Sequence, residues 1–306
     1  MIKYIFYKLI NNFYFKFFLE RKSSLIWSFD SFRPYIAKSI FFDFSDETTH
    51  LGDRLFFLAL FYEINNLGIE IQISDKDGFT KDLVKKILGL DLKCYSGKNK
   101  DITIFPSPSL LRFKNEYKNS LIIHFSDTNC RLKITEQLIK SFSNIFSLRL
   151  NSNSLLLSIT ENNQFSFSLK NGKYFLFNNY INSGGFRKFF VNEKKLYEKA
   201  ISLKKKGYQV IHVGSEQDFS NDSHYYEFID IDLRGKTTVI DLIDLIQCPN
   251  VFGVITFDNY LMHLAGLYKK TAYVLFRGRF LKKNRIHHLK YVNNTFFEDE
   301  SKLIYL

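Results

Sequence analysis

An aspartate and a histidine lie close together where an apolar run gives way to a second segment. Asp258 directly follows VFGVITF (251–257), which has the composition of a buried strand, and His263 lies in NYLMHLAGLY, which has the pattern of a helix. A helix start presents unpaired N–H groups and partial positive charge, and it therefore favours anions such as phosphate. We expect Asp258 to cap this helix. Helical side chains lean toward the helix start, so we expect His263 to reach a bound phosphate, as a hydrogen-bond partner or, when protonated, as a cation.

His263 also has a purely structural interpretation. Leu261, Leu264 and Leu267 surround it in the helical segment. A lone histidine among leucines is often a satisfied residue of the core. The residues by themselves leave both interpretations open.

A second acidic residue stands at the start of another apolar run. In HLGDRLFFLALFYEINNLG (50–68), Gly52 and Asp53 precede a long helix that we expect to end near Gly68. Gly-Asp is a common turn and capping pair, so Asp53 could simply cap this helix.

Strands and helices alternate around both motifs, which predicts an α/β fold with doubly wound parallel sheets and ligands at the carboxyl ends of the strands. An Asn- and Ser-rich region at 151–170 separates two series of similar size, so we predict domains at 1–165 and 166–306. The runs that predict these elements are strands at 37–46, 69–74, 101–108, 120–127, 173–180, 208–214, 251–257 and 271–276, and helices at 80–90, where Thr80 is the expected cap, 192–207 and 237–247.

The segment Asp258 to Ala265, D-N-Y-L-M-H-L-A, resembles the D-T-G-x-x-H-x-A signature of the heptosyltransferases, glycosyltransferase family nine. These enzymes transfer heptose from ADP-heptose to the lipopolysaccharide core. LRGKTTVIDLIDLIQ before the motif and KKTAYVLFRG after it are similar to segments of the family, as is the Gly-Asp pair before a long apolar helix. The resemblance spans 174–279 and, in the first half, the strand–Gly-Asp–helix element.

The resemblance implies a GT-B fold, in which two Rossmann-like domains face a cleft, and an inverting, metal-independent sugar transfer. Asp53 is then the expected catalytic base. Arg187 and Lys188, in GGFRKFF, match the basic pair that holds the donor phosphate, and Glu216 lies where the family often holds the nucleoside. The donor-binding residues implied are Lys188, Arg187, Glu216, Asp258, Asn259 and His263.

The sequence departs from the family pattern in three places. Asn259 and Tyr260 replace the threonine and glycine that follow the motif aspartate, Phe189-Phe190 replace a tryptophan-proline pair, and the first matched strand begins only near residue 37. A tyrosine where glycine allows close backbone approach affects pyrophosphate binding. A non-catalytic protein that has lost donor binding therefore remains an alternative, as does a nucleotide-sugar epimerase of the same fold.

The expected partners are a nucleoside diphosphate sugar, foremost ADP-heptose, and a lipid-linked glycan acceptor of a bacterial surface. No cofactor or metal is expected. The triplet Asp230-Ile231-Asp232 could hold a metal in other transferases, but its alternating surroundings, EFIDIDLRG, predict a strand with exposed acids. The net charge of +12 accompanies 17% aromatic residues. AT-rich coding DNA would produce both, and an anionic partner would also explain the charge. Nucleic acid is not expected, because no binding motif is found.

The N-terminal segment MIKYIFYKLINNFYFKFFLERK (1–22) is basic and aromatic and lacks the apolar core of a signal peptide. It could lie on the cytoplasmic face of the inner membrane or pack as a helix on the protein. Cys94, Cys130 and Cys248 form no paired motif, which is typical of a reducing cytoplasm. We therefore expect a cytoplasmic protein, for which a peripheral position on this membrane is one of the two alternatives.

Overall fold

The chain divides into two compact units, residues 1–159 and 160–306, and the predicted boundary after residue 165 lies near this division. A computed structural model describes residues 26–28, 39–44, 51–75, 77–95, 102–105, 120–123, 133–146, 150, 169, 171–180, 193–216, 218, 224–276, 289–290 and 294–306. Within these ranges, no helix combines the length and apolar composition needed to cross a lipid bilayer.

The first unit contains a six-stranded sheet with the strand order β1-β6-β5-β2-β3-β4. All neighbouring strands are parallel except β1 and β6, which pair antiparallel at one edge. The parallel sheet predicted from the alternating runs is therefore confirmed, with the addition of this antiparallel edge strand. The strands are β1 (Ile26–Ser28), β2 (Ser39–Asp43), β3 (Glu70–Ser74), β4 (Lys93–Cys94), β5 (Ile102–Phe105) and β6 (Ser120–Ile123).

The helices of the first unit are α1 (Leu51–Leu55), α2 (Leu58–Asn66), α3 (Phe79–Leu88) and α4 (Ile134–Phe146). The single long helix predicted after Gly52 is wrong, because a turn separates α1 from α2. In this turn the N–H of Phe56 donates to the Asp53 carbonyl, and the N–H of Phe57 donates to the Arg54 carbonyl, each at 3.2 Å. These bonds span three residues instead of four and tighten the chain at the end of α1.

The start of α3 also differs from the expectation. Thr80 is not its cap but a buried residue of the first turn, and α3 follows Gly78, whose φ of 69° is left-handed. Two preceding acids take the capping role instead. Asp77 accepts a hydrogen bond from the N–H of Phe79 at 3.1 Å, and Asp75 accepts one from the N–H of Thr80.

Phenylalanine rings form the core between β2 and α2. Phe42 meets Phe61 edge-on at 4.8 Å between ring centroids, and Phe44 meets Phe57 edge-on at 5.4 Å. All four side chains are fully buried. Edge-to-face pairs of this kind add to the free energy gained from burial alone, so they fix α2 against the strand that leads to Asp53.

The second unit contains another six-stranded sheet, in which every neighbouring pair is parallel. The strand order is β12-β11-β10-β7-β8-β9. Its elements are β7 (Tyr174–Phe177), α5 (Lys194–Lys205), β8 (Gln209–His212), β9 (Ile231–Asp232), α6 (Asp241–Gln247), β10 (Val251–Phe257), α7 (Tyr260–Leu267), β11 (Thr271–Leu275) and β12 (Leu303–Tyr305).

One face of this sheet is covered by α5. Leu196, Ala200 and Leu203 of the helix pack with strand residues that include Phe177 and Ile255. These helical positions follow a spacing of three to four residues, which is why the sequence predicts the helix correctly. The predicted helix at 237–247 is shorter than expected, because α6 begins only at Asp241.

Each sheet has one point at which the strand order reverses. In the first unit β2 leads to β3 on one side, and β5 lies on its other side; in the second unit β7 leads to β8, and β10 lies on the other side. The connections that leave the carboxyl ends of two such strands diverge to opposite faces and leave a crevice between them. The switch points therefore lie at the ends of β2 and β5 and at the ends of β7 and β10.

Candidate functional site

Side-chain amides connect three strand ends at the switch point of the second unit. Asn178, which follows β7, accepts a hydrogen bond from Asn259 Nδ2 at its Oδ1, over 3.1 Å. Its own Nδ2 donates to the carbonyl of Val213, after β8, at 2.9 Å. The N–H of Asn178 donates to the carbonyl of Ile255 in β10 at 3.0 Å. Asn178 was not predicted, since an asparagine after a strand is ordinary in sequence.

Asn259 is the cap of α7, and the prediction that Asp258 caps this helix is wrong. The Asn259 Oδ1 accepts hydrogen bonds from the N–H groups of Leu261 at 3.1 Å and Met262 at 3.4 Å. Its backbone is extended (φ −141°, ψ −174°), as a cap requires. A capping residue directly precedes the first helical residue. The first helical residue of α7 is Tyr260, so the cap is Asn259. Threonine, the residue of the family motif at this place, is also a preferred cap.

Asp258 and Asn259 are partly exposed to solvent, unlike the residues around them. From residue 253 to residue 267, every residue is buried except these two, which are partly exposed. They lie between the carboxyl end of β10 and the start of α7, where the helix dipole favours negative charge. A ligand that approaches this switch point would therefore meet these two side chains.

His263 is buried one turn further along α7. The residue is 6% exposed, and its ring meets that of Phe296 edge-on at 6.0 Å between centroids. Burial lowers the pKa of the imidazole to about 3, so the ring is neutral at physiological pH. This lowered pKa makes a hydrogen bond from the neutral ring easier to form than an ion pair with the protonated ring. Both forms of the contact with a bound phosphate remain predictions.

The Tyr260 side chain lies in the protein interior. It is 8% exposed, and loss of solvent around the phenol raises the pKa of the Tyr260 hydroxyl well above its usual range. The tyrosine that departs from the family motif therefore packs into the core and does not stand in solvent at the start of α7. A glycine at this place would lack that buried ring.

Glu216 is exposed in the segment after β8. A side chain at Gly235 would approach the Glu216 Cα to 3.4 Å, and the N–H of Gly235 donates to the Gly214 carbonyl at 3.0 Å. The chain that follows β9 thus packs against the backbone at Glu216 through Gly235. Since β8 neighbours β7, Glu216 lies at the same edge of the sheet as Asp258 and Asn259.

A capping box fixes the turn that contains Glu216. The N–H of Ser215 donates to Asp218 Oδ2 at 2.6 Å, and the N–H of Asp218 donates to Ser215 Oγ at 3.2 Å. Burial raises the pKa of the Asp218 carboxyl. Asp218 was not predicted, although S-x-x-D in SEQD is a recognisable capping signal.

A second polar cluster lies beside this edge and was also missed. His212 Nε2 lies 3.0 Å from Asn179 Oδ1, and the hydroxyls of Tyr197 and Tyr226 lie 3.2 Å apart. The amide of Asn179 donates to both tyrosine hydroxyls. His212, at the end of β8, is only 1% exposed. The cluster therefore connects α5, which carries Tyr197, and the chain around Tyr226 to the buried end of β8.

Asp53 lies in the first turn of α1, the helix that follows β2, and the carboxyl end of β2 is part of the switch point of the first unit. It is partly exposed, whereas Arg54 and Leu55 beside it are buried. The alternative that Asp53 caps the helix is wrong, because α1 already begins at Leu51. Its role as a catalytic base remains a prediction.

The predicted phosphate-binding residues Arg187 and Lys188 lie outside the described residues, as does the N-terminal segment 1–22. Asp53 belongs to the first unit, and Glu216, Asp258, Asn259 and His263 belong to the second.

The acids of the D-x-D triplet are held by basic side chains. Asp230 pairs with Lys204 at 2.8 Å, and Asp232 pairs with Arg234 at 2.7 Å. Loss of solvent would raise the pKa of Asp232, but the hydrogen bonds from Arg234 outweigh it and lower that pKa. Only Ile231 and Asp232 of this run form a strand. Within the described ranges, no group of three histidine, cysteine, aspartate or glutamate side chains is placed to hold a metal ion.

Solved structures share this architecture over most of the chain. The glycosyl transferase family 9 protein of Veillonella parvula DSM 2008 aligns over 89% of this chain and 88% of its own, with a TM-score of 0.53 and 12% identity. ADP-heptose lipopolysaccharide heptosyltransferase II of E. coli aligns over 88% and 90%, with a TM-score of 0.57 and 14% identity. This chain has the heptosyltransferase fold. The E. coli heptosyltransferase WaaC, solved with ADP, aligns over 87% of this chain and 92% of its own, with a TM-score of 0.53 and 10% identity.

The heptosyltransferase fold confirms the α/β class and the parallel sheets expected from the resemblance. No protein-family model matches the sequence, and no curated protein matches it either. At 10% to 14% identity the likeness is one of fold. The chemistry must therefore be argued from the residues at the two switch points.

Proposed function

We propose that the protein is an inverting glycosyltransferase. It transfers heptose, or a related sugar, from a nucleoside diphosphate donor to a bacterial surface glycan such as the lipopolysaccharide or lipooligosaccharide core. The observation that carries this proposal is the partly exposed pair Asp258 and Asn259, at the switch point of a heptosyltransferase-like sheet. The two-domain cleft of a GT-B enzyme is part of the same proposal.

The donor binds at the second unit in this proposal. The start of α7 stabilises the diphosphate through the helix dipole, with Arg187 and Lys188 as its cations. Glu216 accepts hydrogen bonds from the nucleoside, and neutral His263 supports the site from within α7. ADP-heptose is the proposed donor, because structures with this fold were solved with ADP and with ADP-2-deoxy-2-fluoro heptose.

Transfer is a single displacement at the anomeric carbon. The Asp53 carboxylate takes the proton of an acceptor hydroxyl while that oxygen forms its bond to the anomeric carbon. The bond from the anomeric carbon to the donor phosphate oxygen breaks, and the nucleoside diphosphate leaves with the bonding electrons. Because the acceptor attacks opposite the leaving group, the anomeric configuration inverts. The helix start and the basic pair stabilise the charge that develops on the leaving group.

The acceptor in this proposal is a lipid-linked glycan at the cytoplasmic face of the inner membrane. The net charge of +12 favours an anionic surface, whether lipid or phosphorylated glycan. A metal and a cofactor are not part of the proposed reaction.

Replacement of the proposed base tests this function. Asp53→Asn keeps the size of the side chain but cannot accept the proton, so transfer from ADP-heptose to heptose-deficient lipopolysaccharide should fall at least ~100-fold. Affinity for ADP, measured by titration calorimetry, should stay unchanged. Asp91→Asn is the matched control, because Asp91 is exposed in the same unit and pairs only with Lys85 among the described ion pairs.

Three results would contradict the proposal in different ways. Full transfer by Asp53→Asn would remove Asp53 from the mechanism. Conversion of ADP-heptose to an epimer without any acceptor would identify an epimerase. Absence of ADP binding in the unaltered protein would favour the non-catalytic alternative.

A further inference from the structure

Arg54, the residue after the proposed base, is buried in a network of acids. Its Nη1 donates to Asp75 Oδ1 at 3.0 Å and to Asp77 Oδ1 at 2.8 Å. The same nitrogen donates to Thr80 Oγ1 at 3.1 Å. The Arg54 and Asp75 side chains are only 6% and 3% exposed, whereas that of Asp77 is 53% exposed. The Nη2 group adds a longer bond to Asp77 Oδ2 at 3.4 Å, so three side chains hold the guanidinium, and of these only Asp77 is largely exposed to solvent.

The acids that hold Arg54 also fix the start of α3. Asp75 accepts hydrogen bonds from the N–H groups of Thr80 and Lys81, and Asp77 accepts one from Phe79. Asp75 directly follows β3, which pairs in parallel with β2, so the network joins α1 to the connection at the carboxyl end of β3. Arg54 therefore ties α1 to the start of α3.

Two opposing effects act on this pair of acids. Burial raises the pKa of Asp75, which also lies beside Asp77. For Asp77, burial would raise the pKa, but the interactions with Asp75 and the hydrogen bonds from Arg54 outweigh it and lower the pKa to about 2. Asp77 is therefore ionised at physiological pH, and the positive charge of Arg54 lies directly against it.

The orientation of α1, the helix that carries Asp53, depends on its contacts with the rest of the unit. α1 has five residues and is followed at once by the turn at Phe56 and Phe57. A helix this short is unstable without tertiary contacts. Its two buried residues are Arg54 and Leu55, and a leucine can rotate or slide in an apolar environment, whereas a guanidinium with several fixed partners cannot.

We propose that Arg54 is a positioning residue for Asp53, an inference that rests on the proposed function. Successive residues of a helix point about 100° apart. When Arg54 is fixed toward Asp75 and Asp77, the direction of the Asp53 carboxylate is fixed as well. The ion-pair network thus sets where the proposed base stands at the switch point of the first unit, although Arg54 itself touches no reacting atom.

Arg54→Lys tests the positioning role, because it keeps the positive charge and loses the planar fork. The expected turnover number is about 10- to 100-fold lower, as for a small displacement of a reacting group. The dissociation constant for ADP should not change, since the donor binds to the other unit. Amide hydrogen exchange in residues 51–57 should become faster, while exchange in residues 251–267 stays the same.

A second variant covers the case in which Arg54→Lys does not fold. Asp77→Asn removes one charge from the more exposed acid, keeps the shape of the side chain, and should change turnover and exchange in the same direction to a smaller extent. Lys85→Gln is the control, because it breaks an exposed ion pair of the same unit, with Asp91 at 2.8 Å, and should change neither.

Each outcome has a defined meaning. Slower turnover with faster exchange at 51–57 and unchanged ADP affinity supports the inference. Unchanged exchange at 51–57 in both variants overturns it, and so does full turnover despite faster exchange. If the unaltered protein transfers no sugar, the proposed function fails; if Asp53→Asn stays fully active, transfer is real but Asp53 is not its base. In both cases the exchange data still decide whether Arg54 orients α1.

Discussion

His263 is a buried histidine whose surroundings exclude the charged imidazolium. Burial lowers the pKa of His263 to about 3, against a usual value of 6.5. Between these two pH values the unfolded chain binds a proton at this residue and the folded chain does not. The free energy of unfolding therefore falls as the pH falls through this window, by up to about 1.4 kcal/mol per pH unit, and is unaffected by His263 above about pH 6.5.

Chemical denaturation at several pH values measures this effect. His263→Gln should be less dependent on pH than the unaltered protein between pH 4 and 6.5, whatever its stability at pH 7. His224→Gln is the control, because His224 is an exposed histidine of the same unit. An identical pH dependence for His263→Gln and the unaltered protein would show that the imidazole is not held neutral by burial.

The residues of the candidate site differ in how far the sequence could predict them. The strand–helix pattern predicts the place of Asp258 and Asn259, but it does not show which of these two adjacent residues caps the helix. Either residue type is a good cap, so only the backbone conformation distinguishes them. Asn178 gave no signal, because its importance depends on the strand order, which brings it beside Asn259.

Among the helices and strands, α7 is held at its start by Asn259, which caps the helix and also bonds Asn178 at the switch point. Asn259→Ala removes two capping hydrogen bonds and the bond to Asn178. The expected loss in the free energy of unfolding is about 1–3 kcal/mol. Asn259→Thr, which places the residue of the family motif there, retains a capping oxygen and should lose less.

Denaturation curves of the two variants distinguish these contributions. A loss for Asn259→Thr as large as that for Asn259→Ala would mean that the bond to Asn178 matters and the cap does not. No loss in either variant would contradict the capping role derived from the structure.

The strands were predictable because apolar and alternating runs report burial directly. The break between α1 and α2 was not, since LGDRLFFLALFYEINN has a continuous helical pattern. The break accompanies contacts of Arg54 with Asp75 and Asp77, more than 20 residues away along the chain. Local periodicity contains no information on such pairings, and tertiary contacts override it here.

At the scale of the whole molecule, the chain contains two sheets, each with a switch point at its carboxyl edge. The proposed base belongs to one unit and the proposed donor residues to the other. The alternation of strands and helices predicted both sheets. It could not predict the antiparallel pairing of β1 with β6, because a three-residue strand has no distinctive pattern.

Sugar transfer requires that the second unit bind a nucleoside diphosphate donor. Calorimetric titration of the purified protein with ADP, UDP, GDP and CMP measures this binding. We predict binding of ADP in preference to the other three, with the buried Tyr260 leaving the start of α7 accessible. Preference for another nucleotide would be consistent with a glycosyltransferase that uses a donor other than ADP-heptose. If none of the four binds, the second unit is not a nucleotide site and the proposed function is wrong.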